Sequence, residues 1–276
     1  MRQTLLLIIL AFYAQATLIG TGKKLPSDTL LISNYYIDFQ SDILKDDNEK
    51  TLIDDYGWHE RTYLFKPVYY KDNFQYSITI PYTKRQRELS EEEIQGILDI
   101  SIGLGYFIPN NFGDLLLLSS VQFPTAKYEK DKPKVYYGTT PALQLGLNRY
   151  ELKEDLYFFK PVLNTKVPFL IDSTLSYHYR GKDLDTKVKN GYYIGAELTI
   201  SAILSKNLFM GPAIYYKRYN RDGTYLNMGS SKFQVGADAL YRFNDKNSLC
   251  IEYVEDTHVD NRAKGDRWIA RYVHIF

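Results

Sequence analysis

The sequence predicts an all-β protein, namely a transmembrane up-and-down barrel of antiparallel strands. Three observations lead to this prediction. Segments of about ten residues alternate apolar with polar side chains, which is the period of a strand and not of a helix. Aromatic residues, including 26 tyrosines, make up 15% of the 276 residues, and they gather at the ends of the apolar faces. The chain also ends in an aromatic strand, 267–276, where a polar tail is usual.

The first 16 residues have the features of a secretory signal peptide. Arg2 supplies the positive charge, 5–14 the apolar stretch and the Ala-Gln-Ala of 14–16 a cleavage site. The apolar stretch is shorter than the ~20 residues of a membrane-spanning helix, which disfavours an uncleaved anchor. We therefore expect a signal peptide over 1–16, a leader over 17–28 and the barrel over 29–276.

The clearest alternating segment is 191–204. Its even positions are apolar apart from one phenol, and its odd positions are mostly polar or small. Segments 74–82 and 98–106 repeat the pattern. A soluble sandwich would also alternate, but long strands with aromatic ends favour an outer-membrane barrel, whose strands of ~9–11 residues present an apolar band between two aromatic girdles. A closed barrel also pairs every backbone group inside lipid.

About 12 strands are predicted, an even number as in bacterial single-chain barrels. The predicted spans are 29–41, 60–71, 73–85, 96–108, 113–127, 140–151, 168–181, 190–204, 207–221, 231–244, 247–258 and 266–276. Tight turns rich in Asn, Asp and Gly then lie on the periplasmic side, and the longer charged loops lie outside. The segment 151–168 does not fit this regular sequence of strands and turns. It is either a long periplasmic connection or an extra strand pair, which would give about 14 strands.

The polar face of each strand is expected to line the lumen. Continuing the alternation predicts that the following residues point inward: Asp38, Asp99, Asp172, His178, Arg180, Glu197, Tyr215, Asp238, Arg242 and Glu252. Tyr36 and Tyr193 are expected on the same face. Because unpaired charges in a narrow interior are costly, most of these groups should form pairs or meet water. The interior is therefore either closed by paired charges or a hydrated path for a small solute.

The sequence shows no arrangement typical of catalysis or of metal binding. His178 is the best candidate for a base, with Ser176 and Asp172 on its face, but residues two apart on a strand do not point at each other. A single cysteine, Cys250, and four scattered histidines provide no metal-binding spacing. We expect no cofactor and no enzymatic activity.

The charge balance argues against a nucleic-acid partner. The chain has 34 basic and 33 acidic residues, and loss of Arg2 leaves 33 of each. The expected partners are outer-membrane lipids, the barrel assembly machinery and a small solute. The assembly machinery would recognise the terminal strand through Tyr272 and Phe276, with Trp268 and Phe276 in opposite girdles.

The stretch 95–128 resembles the bacterial meta-pathway phenol-degradation family of outer-membrane, transporter-like proteins. Gly96, Asp99, Gly103 and Tyr106 follow the family's Gly-x-x-Asp strand with its later glycine and aromatic residue. The return strand ends in Pro-Thr-Ala at 124–126, where the family has Pro-Thr-Gly. The resemblance implies a passive channel or transporter for small aromatic or hydrophobic compounds in the outer membrane. The alternatives are a lipid-modifying outer-membrane enzyme and a structural barrel with a filled lumen.

Overall fold

The computed structural model contains a β-sheet that closes into a barrel. It describes residues 22–45, 50–53, 57–87, 92–127, 145–146, 148–182, 184, 191–220, 230–259 and 263–276. Among these residues no helix has the length and apolar character needed to cross a membrane. The predicted signal peptide, 1–16, lies outside the described residues.

Fourteen β-segments follow one another along the described chain. They are β1 (Thr29–Lys45), β2 (Thr51–Ile53), β3 (Trp58–Lys71), β4 (Phe74–Arg87), β5 (Glu92–Ile97), β6 (Ser101–Phe107), β7 (Asp114–Gln122), β8 (Glu151–Val162), β9 (Phe169–Arg180), β10 (Tyr192–Ile203), β11 (Leu208–Tyr219), β12 (Ser230–Arg242), β13 (Asn247–Val259) and β14 (Ala263–Ile275). Both β5 and β6 pair with β4, so together they form one interrupted barrel strand. The short β2 pairs with β1 outside the ring. The barrel therefore has 12 antiparallel strands, which confirms the predicted fold class.

The barrel closes where the first strand meets the last. β1 and β14 pair in antiparallel register from Leu31 opposite Ile275 to Phe39 opposite Arg267. The backbone N–H of Phe276 also donates to the carbonyl of Leu30 at 2.9 Å. Because both edges of the sheet are paired, the backbone can cross lipid without exposed polar groups.

Two of the predicted strands differ from the observed ones. The strand predicted at 140–151 is wrong, since 145, 146 and 148–150 are not in a strand and the next strand is β8. Segment 151–168 is thus neither one long connection nor an extra strand pair, because 151–162 is the single strand β8 and only 163–168 connects it to β9. Its alternation is weak because β8 has charged residues on both faces, for example Lys153 inside and Glu154 outside. The strand predicted at 96–108 is interrupted at 98–100.

The outer face of the barrel is apolar and aromatic. Trp268 is 53% exposed and lies 4.8 Å from the ring of Tyr253 towards the extracellular end. Phe276, 61% exposed, lies at the end with the tight turns, which is predicted to be periplasmic. The two residues therefore mark opposite ends of the lipid-facing band, which matches the girdles of outer-membrane barrels.

The periplasmic end of the lumen is filled by buried side chains, a layer that we call the floor. Almost every barrel strand contributes an apolar residue to it, in two clusters. In chain order the floor contains Leu31, Tyr70, Gln75, Phe107, Leu116, Phe159, Leu170, Ile203, Phe209, Leu240, Cys250 and Val273, each at most 8% exposed. Gln75 is the polar member of the ring. Most of the buried apolar side chains thus lie inside the lumen and at one end, and a smaller cluster of Ala213, Tyr215 and Val254 lies further along it.

Candidate functional site: the barrel lumen

Nine of the ten residues predicted to line the lumen have side chains on the inner face. The burial pattern alternates along each strand, and the lipid-facing positions are the exposed apolar ones. The nine residues are Asp99, Asp172, His178, Arg180, Glu197, Tyr215, Asp238, Arg242 and Glu252. The inner position of Tyr193 also agrees with the alternation of β10.

Asp38 is the exception, and the prediction for it is corrected. It lies opposite Trp268 and Arg61, both on the outer face of the barrel. Its carboxylate accepts a hydrogen bond from Tyr36 at 2.8 Å and contacts His59 Nε2 at 2.7 Å. Tyr36 therefore also faces outward. Above the apolar band the outer face becomes polar, so a charge near the extracellular end of a strand does not identify the inner face.

Above the floor the inner side chains are partly accessible to solvent, and we call this region the chamber. Its lining combines both signs of charge with phenols and hydroxyls. The partly accessible inner residues include Tyr35, Phe39, Lys66, Asp172, Ser176, His178, Tyr193, Glu197, Thr199, Lys217, Glu252, Arg267 and Arg271. The lumen thus changes from polar and accessible in the chamber to apolar and buried in the floor.

Asp155 is the centre of one hydrogen-bonded group in the chamber wall. This carboxylate is 1% exposed and lies 2.9 Å from the ammonium of Lys153. It also accepts hydrogen bonds from the hydroxyls of Ser176 at 2.6 Å and Tyr157 at 3.0 Å. A buried carboxylate with a cation and two hydroxyl donors is fully compensated, so this group fixes β8 against β9.

Asp256 is the centre of a second group near the extracellular end. It is fully buried and contacts Lys232 Nζ at 2.6 Å. It accepts hydrogen bonds from the amide of Gln234 at 2.6 Å and from the backbone N–H of Gly265 at 2.9 Å. Lys232 also lies over the ring of Phe39 at 5.2 Å. One carboxylate therefore connects β12, β13 and β14.

Arginines and tyrosines of β14, β1 and β11 form a third group. The Tyr215 hydroxyl donates to Glu252, and Arg267 lies 5.3 Å above the Tyr215 ring. Arg271 lies 5.7 Å above the ring of Tyr35 and interacts electrostatically with Asp172. β14 and β9 are five strands apart in a ring of twelve. The charge of Arg271 therefore acts across the lumen.

His178 and Ser176 do not form a catalytic pair. His178 Nε2 contacts Glu151 at 2.7 Å, and Arg149 Nη2 contacts the same carboxylate at 2.6 Å. The hydroxyl of Ser176 is directed to Asp155. The His178 ring packs edge-on against Tyr193, with 4.5 Å between the ring centroids. The histidine and the serine thus bind different carboxylates, and both belong to the wall of the lumen.

Asp238 and Arg242 lie on either side of Leu240 of the floor, with Asp238 at the level of Glu252, and a third predicted lining residue lies where β5 and β6 separate. Asp238 accepts hydrogen bonds from Ser201 at 3.1 and 3.2 Å. Arg242 donates to the carbonyl of Lys206 at 2.9 Å. Asp99 accepts from the backbone N–H of Ala126 at 3.0 Å, which ties the interruption at 98–100 to the end of β7. These residues stabilise the wall.

Sequence reasoning missed several charged residues of the lumen. Glu151, Lys153, Asp155, Lys232 and Asp256 all face inward and make the contacts described above. Lys153 and Asp155 were missed because the predicted sixth strand ended at 151. Lys232 and Asp256 follow the same alternation as Asp238 and Glu252, so a period of two places them on the inner face as well. Among the described residues, no group of three or more His, Cys, Asp or Glu side chains could hold a metal ion.

Comparison with known proteins identifies both a family and a fold. The sequence pattern of the family described as "Putative MetA-pathway of phenol degradation" matches residues 56–272. An outer membrane channel from Pseudomonas putida F1 superimposes with a TM-score of 0.79 at 16% identity, over 93% of this chain and 98% of that one. No curated protein sequence matches the chain.

Two autotransporter barrels are less similar. The beta domain of BrkA from Bordetella has a TM-score of 0.52 at 8% identity, covering 91% of this chain and 100% of its own. The translocator domain of NalP from Neisseria meningitidis has a TM-score of 0.51 at 11% identity, covering 97% and 92%. At these identities the superpositions establish the barrel fold alone.

Proposed function

Because the chain belongs to the MetA-pathway phenol-degradation family of outer-membrane β-barrels, we propose that it is a passive channel for small aromatic or hydrophobic compounds. The observation that supports this function best is the gradient along the lumen. A solute first meets the accessible chamber, with its charges and phenols, and then the apolar floor.

The chemistry of the two regions suits a small molecule with an apolar body and a polar group. Phenols such as Tyr35 and Tyr193 line the chamber and can contact an aromatic ring. The floor offers apolar side chains such as Leu116 and Phe209, which can contact the apolar body of such a solute. The family's description, phenol degradation, fits this class of solute, and the channel from Pseudomonas putida has the same fold.

The alternative of a lipid-modifying enzyme has less support. His178 and Ser176 contact separate carboxylates inside the lumen, away from the lipid-facing surface. The alternative of a structural barrel is favoured by the paired carboxylates Asp155 and Asp256. These pairs lie in the wall, however, and leave the chamber side chains partly accessible.

The function can be tested with purified protein in planar bilayers and liposomes. We expect ion conductance and uptake of a small aromatic acid such as benzoate. Two neighbouring residues of β11 provide a matched pair of variants, because Lys217 faces the lumen and Arg218 is exposed on the outer face. Lys217→Glu should shift ion selectivity towards cations, and Arg218→Glu should not.

Two results would contradict the channel. One is the absence of conductance and uptake with barrels that show normal heat-modifiable migration on gels. The other is an equal response to Lys217→Glu and Arg218→Glu, since the current would then not pass through the lumen. Release of fatty acid from the same liposomes would instead support the enzyme.

We also propose how the protein reaches its membrane. Removal of 1–16 by signal peptidase would leave a mature chain beginning at Thr17. The barrel assembly machinery would then bind the terminal strand through Tyr272 and Phe276, and lipids would surround the apolar band. Mass spectrometry of the protein from outer membranes tests the cleavage, and a mass that includes residues 1–16 would refute it.

A further inference from the structure

The charges of the chamber are divided unevenly around the barrel wall. Between the two ends of the lumen, the inner face of β8–β13 carries the carboxylates Asp155, Asp172, Glu197, Asp238 and Glu252 and the cations Lys153 and Lys217. The inner face of the four neighbouring strands β14, β1, β3 and β4 carries the cations Lys66, Arg267 and Arg271. Its one described carboxylate, Glu60, is paired with Arg85 at 3.0 Å near the extracellular end. An anion in the chamber is therefore attracted to these four strands.

Two of these cations, Lys66 of β3 and Arg271 of β14, lie on either side of Tyr35 of β1, and we call them the cationic pair. Arg271 is the register partner of Tyr35, and its guanidinium lies 5.7 Å from the centre of the Tyr35 ring. Lys66 is the register partner of Ser33, one inner position closer to the floor. Both cations interact electrostatically with the Tyr35 phenol. An anion beside the Tyr35 hydroxyl therefore meets two positive charges and a hydrogen-bond donor.

Neither member of the cationic pair is neutralised at close range. Lys66 and Arg271 form no ion pair with a described residue, and Arg271 Nε is buried without a hydrogen-bond partner in the described part of the chain. Asp155 acts on Lys66 electrostatically but is already compensated by its own contacts in the wall. Asp172 and Asp238 act on Arg271 from β9 and β12, beyond ion-pair distance. Buried cationic donors without a close partner favour a bound anion.

Next to the cationic pair is an apolar surface, which we call the ledge. Ile37 and Ile269 are register partners and occupy the next inner positions after Tyr35 and Arg271, in the direction away from the floor. Leu64 is the register partner of Tyr35 on β3. The side chains of the ledge are partly accessible to solvent, whereas those of the floor are buried. The ledge thus offers a contact surface for an apolar group beside the cationic pair.

We propose that the cationic pair and the ledge form a binding site for a small aromatic acid. The carboxylate lies between Lys66 and Arg271 and accepts a hydrogen bond from the Tyr35 hydroxyl, and the aromatic ring lies on the ledge. This inference rests on the proposed channel function and makes the solute more specific, because the site selects an anionic aromatic compound over a neutral one of the same shape.

Three ligands test the parts of the site separately. Benzoate has the carboxylate and the ring, benzamide has the same shape without the charge, and acetate has the charge without the ring. Their affinities for the purified barrel in detergent micelles at neutral pH can be measured by NMR titration of the ligand signals. We expect benzoate to bind about tenfold more tightly than benzamide or acetate, because a charged hydrogen bond and the burial of a ring each contribute about one order of magnitude.

Variants of the cationic pair test where benzoate binds. Lys66→Met and Arg271→Met should each lower the affinity for benzoate about tenfold and change that for benzamide less than about twofold. Lys66→Arg keeps the positive charge and should restore most of the affinity that Lys66→Met loses. Arg218→Met removes a cation from the outer face of β11 and should match the wild type. Heat-modifiable migration on gels shows that each variant has folded.

The outcomes for the site and for the channel can be told apart. If the wild type does not bind benzoate, or binds benzamide equally well, the site is refuted. Benzoate binding that is unchanged in folded Lys66→Met and Arg271→Met would also refute it. A barrel that conducts in these cases still supports the channel. Benzoate binding with the expected preferences, in a barrel without conductance or uptake, would support the site and refute the channel.

Discussion

Asp256 offers the sharpest test of how the lumen is stabilised. Its buried carboxylate compensates Lys232 and binds Gln234 and the N–H of Gly265. In Asp256→Asn the side chain keeps its size and an acceptor oxygen but loses its charge. Lys232, whose side chain is only 15% exposed, is then a poorly compensated cation.

The expected cost follows from these contacts. Removing one partner of a buried ion pair costs ~3–5 kcal/mol, and the retained acceptor places Asp256→Asn near the lower end, at about 3 kcal/mol. In Lys232→Met with Asp256→Asn neither charge remains. This double variant should be at least ~1 kcal/mol more stable than Asp256→Asn alone, because the uncompensated cation has been removed.

The free energy of unfolding can be measured by urea titration in lipid vesicles, with the fluorescence of Trp58 and Trp268 as the signal. The neighbouring Glu255, exposed on the outer face, is the control, and Glu255→Gln should change stability by less than ~0.5 kcal/mol. A loss below ~1 kcal/mol for Asp256→Asn, or a double variant that is less stable than Asp256→Asn, would show that the ion pair does not stabilise the lumen.

Two further predictions concern the floor and assembly. The buried amide of Gln75 has no hydrogen-bond partner among the described residues, so Gln75→Leu should raise stability by ~1–3 kcal/mol in the same urea titration; a loss of stability would contradict this. Deletion of Phe276 should lower the yield of heat-modifiable barrel in outer membranes, and full yield would refute its role in assembly.

The sequence alone determined the fold class and most of the lining. One face of a barrel wall meets lipid and the other meets water. Apolar and polar side chains therefore alternate in strands such as β4 and β10, and the aromatic residues at the strand ends indicate the membrane interfaces. The inner positions of Asp172, Glu197 and Glu252 followed from the same period. The inference from a polar side chain to the inner face was wrong for Asp38, because the outer face is also polar where the strands extend beyond the lipid.

Only the tertiary structure decided which groups meet across the lumen. Arg271 and Asp172 are far apart in the sequence, and the curvature of the barrel places them where their charges interact across the lumen. Strand β8 was hidden because charges on both faces weaken its alternation. The position of 22–25, of which Leu25 packs in the floor, was hidden for a related reason, since a short segment without periodicity gives no local signal. Its position depends on the apolar floor that twelve distant strands create together, and no single stretch of sequence contains that surface.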